Sequence, residues 1–276
     1  MAGRAVPHRE PGQTAPVTDE GLPPLPPPPP LPPAPPEYSS APVVRWGMGD
    51  VFYGLLGYLI GGVASAIVII ATGNVESDGS LKELSPWLVA VSLMGAWVGF
   101  VGWPIVATYR KGQRSLTRDF GLEIRWIDVG WGVLGGAVAI GLSALANVLW
   151  MVVSGDDAPS NAEFLPKDPG VAGALILFLF VAVLTPIAEE LFFRGLFLRA
   201  AGRKWSLPVG VAVSSVVFGC FHFEGGIAHG LFIVAVTAIY GAVFALLVVR
   251  AGGRLGPSIV AHACVNGLGV LILLVS

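Results

Sequence analysis

Charge is what this chain has least of. Only 12% of its 276 residues are Asp, Glu, Lys or Arg, about half the share of a soluble domain. At a mean hydropathy of +0.74, a soluble fold would lack the polar surface to stay dissolved. The net charge of −2 leaves no basic field to attract nucleic acid. Cysteine is almost absent. Cys220 and Cys264 both sit in apolar segments and read as small packing residues, so no disulfide framework is expected. The first residues hold no apolar core followed by a small-residue cleavage site, so no secretory leader is expected there.

Proline is abundant but unevenly placed. Residues 1–46 hold 15 of the 23 prolines, including the run from Pro26 to Pro30. Proline has no amide donor and a fixed φ, so this stretch is expected to be a disordered, extended tail. As a polyproline ligand it would suit an aromatic-lined groove on a partner.

From Asp50 onward the chain falls into seven apolar segments, at roughly 51–71, 87–108, 127–153, 171–198, 208–222, 230–249 and 257–275. Most reach the ~20 residues that cross a bilayer. The fifth is short and is expected to lie tilted or half-buried in the bundle. A span must satisfy its own backbone hydrogen bonds, so all should be helices. The expected fold is an all-α polytopic transmembrane bundle of about seven spans. Its N-terminal helices would occupy 47–170 and its core 171–276. Small residues such as Gly57, Gly61, Gly135 and Gly136 would let helices approach closely.

Loop charges set an expected orientation. Arg110, Lys111, Arg114, Arg118, Arg125, Arg199, Arg203, Lys204, Arg250 and Arg254 occupy alternate loops, and the remaining loops carry only Lys82 and Lys167. By the positive-inside rule the N-terminus would be cytoplasmic and the C-terminus outside. The Ala, Gly, Val and Arg bias points to a bacterial plasma membrane. Trp46, Trp87, Trp103, Trp126, Trp150 and Trp205 fall near segment ends, where interfacial anchors belong.

Against this apolar background a few polar residues stand out. The fourth segment contains Glu189 and Glu190, followed by Arg194. Two acids inside a span are costly unless they pair, line a cavity or are neutralised. Glu190 and Arg194 stand at i, i+4, the spacing of an ion pair on one helix face. Consecutive residues point about 100° apart, so Glu189 is left to face elsewhere as a candidate general base. The fifth segment ends with Phe218 and His222. The seventh carries His262 and Asn266, again at i, i+4, so that imidazole and amide can converge on one atom. His229 lies outside these patterns and is expected in a loop.

In order, EExxxR, FxxxH and HxxxN on three successive spans resemble the CPBP family of intramembrane proteases, which includes type II CaaX prenyl endopeptidases and bacteriocin-processing proteins. The resemblance covers roughly residues 171–275. It implies that Glu189 and His222 activate a water while His262 and Asn266 hold the oxyanion. Glu190, Arg194 and Phe218 would support them. Carboxylate and imidazole are competent as a base, and imidazole N–H and amide NH₂ as donors.

Members of that family have also been called metalloproteases. Glu189, His222 and His262 match the ligand types of a catalytic zinc, but no pair has the i, i+4 histidine spacing of HExxH. A cofactor is therefore not expected, with zinc as the alternative. The expected activity is hydrolysis of a membrane-tethered protein or peptide near the cytoplasmic interface. The competing readings are a scaffold that recruits partners through the tail and a proton-coupled transporter. The latter predicts internal repeats, which the sequence does not show.

Overall fold

The computed structural model describes residues 44–76, 82–159, 165–166 and 168–275. The expected proline-rich tail therefore lies outside the described residues, except for its last three positions. Seven long or medium helices carry the described chain, and they match the seven apolar segments. These are α1 (Met48–Ala71), α2 (Pro86–Lys111), α4 (Trp126–Ser154), α5 (Gly170–Lys204), α6 (Leu207–Cys220), α7 (Ile227–Arg250) and α8 (Gly256–Val275). A short helix, α3 (Leu116–Phe120), lies between α2 and α4. Six of the seven are long and apolar enough to cross a bilayer, and α6 is the exception at 14 residues. The chain is an integral membrane protein. Its outward surface carries exposed Leu59, Ile60, Val63, Ile67 and Ile70 on α1 and Val133, Leu134, Leu145 and Leu149 on α4, as lipid contact requires.

Two of the spans are not uniform α-helices. In α2 the turn Val98–Gly102 widens to π-helix, and in α5 so do Phe178–Leu184 and Leu191–Phe197. Pro104 and Pro186 each follow such a stretch by two residues. A proline offers no amide to the turn before it, so the hydrogen-bond ladder must open there. Trp97, just before the first widened turn, and Phe180, within the second, stack at 5.6 Å and 5°.

Glycine sets how closely the helices pack. A Cβ on Gly61 of α1 would collide with the backbone carbonyl of Gly95 on α2. A Cβ on Gly136 of α4 would stand 2.9 Å from the Cβ of Cys264 on α8. The close approach read from Gly61 and Gly136 is therefore present in the bundle. Cys220 and Cys264 are both free thiols.

One end of the bundle gathers the basic loops, and there the polar chemistry departs from expectation. Asp50 accepts from Lys111 Nζ at 2.8 Å and from Trp103 Nε1 at 3.2 Å. Asp128, fully buried, accepts from Arg254 Nη2 at 2.7 Å and from the Arg125 amide at 2.9 Å. Asp119 accepts from Thr108 Oγ1 and from Trp46 Nε1. Trp46 is 3% exposed and lies under the Arg203 guanidinium. It is a core residue and not the interfacial anchor expected, because buried Asp119 gives its indole N–H a partner. Trp126, 93% exposed, fits the anchor role. His229 also departs from expectation. It sits in the first turn of α7, its ring edge-on to Trp150 at 5.7 Å.

Candidate active site

α5 carries the two glutamates at its centre, between its π-helical stretches, in the α-helical turn Thr185–Glu190. Glu190 and Arg194 are both fully buried, with Arg194 Nη1 donating to Glu190 Oε1 at 2.8 Å. The i, i+4 pair read from the sequence is thus formed. Arg194 Nη2 donates to the Gly241 carbonyl of α7 at 3.0 Å, and its guanidinium lies 4.4 Å from the centre of the Phe218 ring. For a fully buried guanidinium, these bonds and the aromatic face replace the hydration it would have in bulk water.

Glu190 does more than hold Arg194. Its Oε1 also stands 3.1 Å from His262 Nδ1. Arg194 already binds that oxygen as the ionised form, so His262 Nδ1 must carry a hydrogen and donate it. The other ring nitrogen, Nε2, then faces Glu189 Oε2 at 3.6 Å. The two adjacent glutamates therefore serve different edges of one imidazole. The Phe244 ring stacks on that imidazole at 4.9 Å and 23°. Glu189 is the more open acid of the two, its side chain 16% exposed against 0% for Glu190.

His222 lies two residues past the end of α6, in a turn, and not within the helix. Its Nδ1 donates to the Phe218 carbonyl at 2.9 Å. A carbonyl can only accept, which leaves Nε2 with the lone pair in the neutral ring. Among the described residues His222 makes no hydrogen bond to a carboxylate; it joins the group through Phe218. That ring is 4.8 Å from His222 and 5.7 Å from His262, and it supports Arg194 as well. All three motifs therefore meet at Phe218.

Asn266 donates one amide hydrogen to the Val181 carbonyl at 3.0 Å. Val181 lies five residues before Pro186, in the widened turn where the ladder lacks a donor, and Asn266 supplies it from the neighbouring helix. Its NH₂ retains a second hydrogen. Around these residues several buried polar atoms have no hydrogen-bond partner among the described residues: Glu189 Oε2, Glu190 Oε2, Arg194 Nε, Thr185 Oγ1 and Ser215 Oγ. Sequence reasoning passed over Thr185 and Ser215, which look like ordinary small residues of an apolar helix.

Whether Glu189, His222 and His262 suit a metal can be judged from their placement. Among the described residues no group of three or more His, Cys, Asp or Glu stands where it could hold a metal ion. His222 is held by a backbone carbonyl, apart from the Glu189–His262 contact.

An apolar helical bundle with two acids and an imidazole clustered in its interior defines an integral membrane protein with a polar site inside its spans. Residues 171–268 match the family model for type II CAAX prenyl endopeptidase Rce1-like proteins, so this part of the chain is similar to that family. No curated protein and no solved structure matches the chain.

Proposed function

We propose that the chain is an intramembrane endopeptidase that uses Glu189 to activate water against a peptide bond of a membrane-tethered protein or peptide. The observation that carries this reading is the pairing of His262 with Glu190 on one ring edge and Glu189 on the other. It points an oriented imidazole and a partly open carboxylate at the same small volume.

In the proposed sequence a water next to Glu189 gives its proton to the carboxylate as its oxygen attacks the scissile carbonyl carbon. His222 Nε2, its lone pair exposed by the bond from Nδ1 to Phe218, shares the proton load. Negative charge then develops on the former carbonyl oxygen. The second amide hydrogen of Asn266 is a donor for that oxyanion, and His262 Nε2 joins it only when the ring carries a proton on both nitrogens, since Nδ1–H is already given to Glu190. As the tetrahedral intermediate collapses, the C–N bond breaks and Glu189 returns the proton to the leaving amine. Glu190 and Arg194 keep His262 in the orientation this requires and touch no reacting atom. We read the reaction as independent of a metal, since the donor geometry supplies a base and oxyanion donors but no ligand set.

The basic end of the bundle is, by the positive-inside rule, the cytoplasmic one, and cleavage would occur on the side of the bilayer that it faces. The test is cleavage by the purified protein of a quenched fluorogenic peptide bearing a prenylated CAAX box, beside unprenylated and transmembrane peptides. Cleavage that requires membrane tethering of the peptide supports the reading; equal cleavage of a soluble, untethered peptide contradicts it.

A further inference from the structure

Several hydroxyl side chains on the helices of this chain or at their ends share a habit. Thr72 donates to Val68 O at 2.9 Å, Ser92 to Leu88 O at 2.9 Å and Thr237 to Ile233 O at 2.6 Å. In each case the acceptor is the carbonyl four residues back, the usual local partner of a helical Ser or Thr.

Thr185 breaks the habit. It is 7% exposed, and its Oγ1 is buried without a hydrogen-bond partner. The carbonyl four residues back is Val181 O, and that oxygen is the one that accepts from Asn266 Nδ2. A buried hydroxyl without a partner is costly. Thr185 also stands one turn before Glu189, at the i, i+4 spacing that puts two side chains on the same helix face. Glu189 Oε2 is likewise buried and without a hydrogen-bond partner, and it is the oxygen that faces His262 Nε2.

We propose that Thr185 is a positioning residue that holds the nucleophilic water against Glu189. A water between the two orphan oxygens gives one hydrogen to Glu189 Oε2 and the other to Thr185 Oγ1. Both of its hydrogens are then fixed, and its lone pair is directed away from α5 toward an incoming carbonyl. The inference rests on Glu189 being the base. It adds a residue that lies just ahead of the acid pair and belongs to none of the three motifs.

The experiment compares Thr185→Val, which keeps the shape and removes the hydroxyl, with Thr185→Ser, which keeps the hydroxyl. Glu189→Gln serves as the reference. The readouts are kcat and KM on a quenched fluorogenic peptide ending in a farnesylated CAAX box, and the melting temperature of each variant in the same detergent. Misplacing a reacting group by about 1 Å costs on the order of 10²-fold, so Thr185→Val should lose about that factor in kcat with KM unchanged. Thr185→Ser should restore most of it. The melting temperature of Thr185→Val should hold, because the hydroxyl it removes bonds no protein group among the described residues. Wild-type kcat in Thr185→Val, with Glu189→Gln inactive, overturns the role of Thr185 alone. Activity in Glu189→Gln overturns the base assignment on which it rests. A Thr185→Val protein that melts below wild type overturns the proposal without reference to cleavage, since it makes the hydroxyl a structural one.

Discussion

His262 Nδ1 and Glu190 Oε1, 72 positions apart in sequence, meet at 3.1 Å in the interior of the bundle. The same oxygen holds Arg194 at 2.8 Å. The second glutamate of the pair thus ties the helix that carries Glu189 to the helix that carries HxxxN. Arg194 keeps that carboxylate ionised and its acceptor role fixed.

From this follows the effect of Glu190→Gln. The amide retains an oxygen but also presents an NH₂, which can turn toward His262 and impose the opposite tautomer. Replacing an orienting acid by its amide in other enzymes costs roughly 10²- to 10⁴-fold in kcat, and a loss in that range is expected here. Steady-state kinetics on the folded variant checks it. A Glu190→Gln enzyme within twofold of wild type would show that the His262 contact is incidental.

Arg194→Ala should be the more damaging change to the fold. It leaves Glu190 buried as an unpaired acid and removes a bond to Gly241 O, and breaking a buried pair costs about 3–5 kcal/mol. Glu190→Gln leaves Arg194 with its bond to Gly241 O and its place over the Phe218 ring. Thermal unfolding in detergent should rank wild type above Glu190→Gln and Glu190→Gln above Arg194→Ala. Equal melting temperatures for the two variants would contradict the account of the pair.

The α1–α2 crossing offers a test away from the site. Gly61→Val would drive a branched side chain into the Gly95 backbone, which cannot retreat as a flexible side chain would. Overpacking of this kind costs about 1–3 kcal/mol. We expect a lower melting temperature for Gly61→Val and none for Gly62→Val, whose Cβ meets nothing within 4 Å.

If the reaction uses no metal, strong chelators should leave the cleavage rate unchanged, and elemental analysis should find substoichiometric zinc. Stoichiometric zinc lost together with activity on chelation, and activity restored by added zinc, would overturn the metal-independent reading.

The local relationships were readable from spacing. Seven apolar runs gave the seven helices, and i, i+4 spacing gave the Glu190–Arg194 pair, because both depend on residues close in sequence. What escaped was non-local. The sequence assigns Glu190 wholly to Arg194, yet one carboxylate oxygen accepts from two donors, and the second comes from α8. The i, i+4 spacing of His262 and Asn266 suggested one shared target. Instead the structure turns the Asn266 amide to Val181, a carbonyl freed by the widened turn ahead of Pro186. Trp46 resembles an interfacial anchor until α3 brings Asp119 to its indole N–H. The buried acids Asp50, Asp119 and Asp128 stand near span ends, where charge is unremarkable, so composition gave no sign that each was paired inside.

The central claim is that Glu189 takes the proton from the attacking water, and Glu189→Gln tests it most directly. Glutamine keeps the shape of the side chain but cannot accept that proton. The measurement is the single-turnover cleavage rate of a tethered fluorogenic peptide by wild type and by Glu189→Gln, each shown by thermal unfolding to be folded. The account predicts that Glu189→Gln melts within a few degrees of wild type and cleaves at least about 10²-fold more slowly, the low end of the contribution of a general base. A folded Glu189→Gln protein cleaving at near wild-type rate would contradict it.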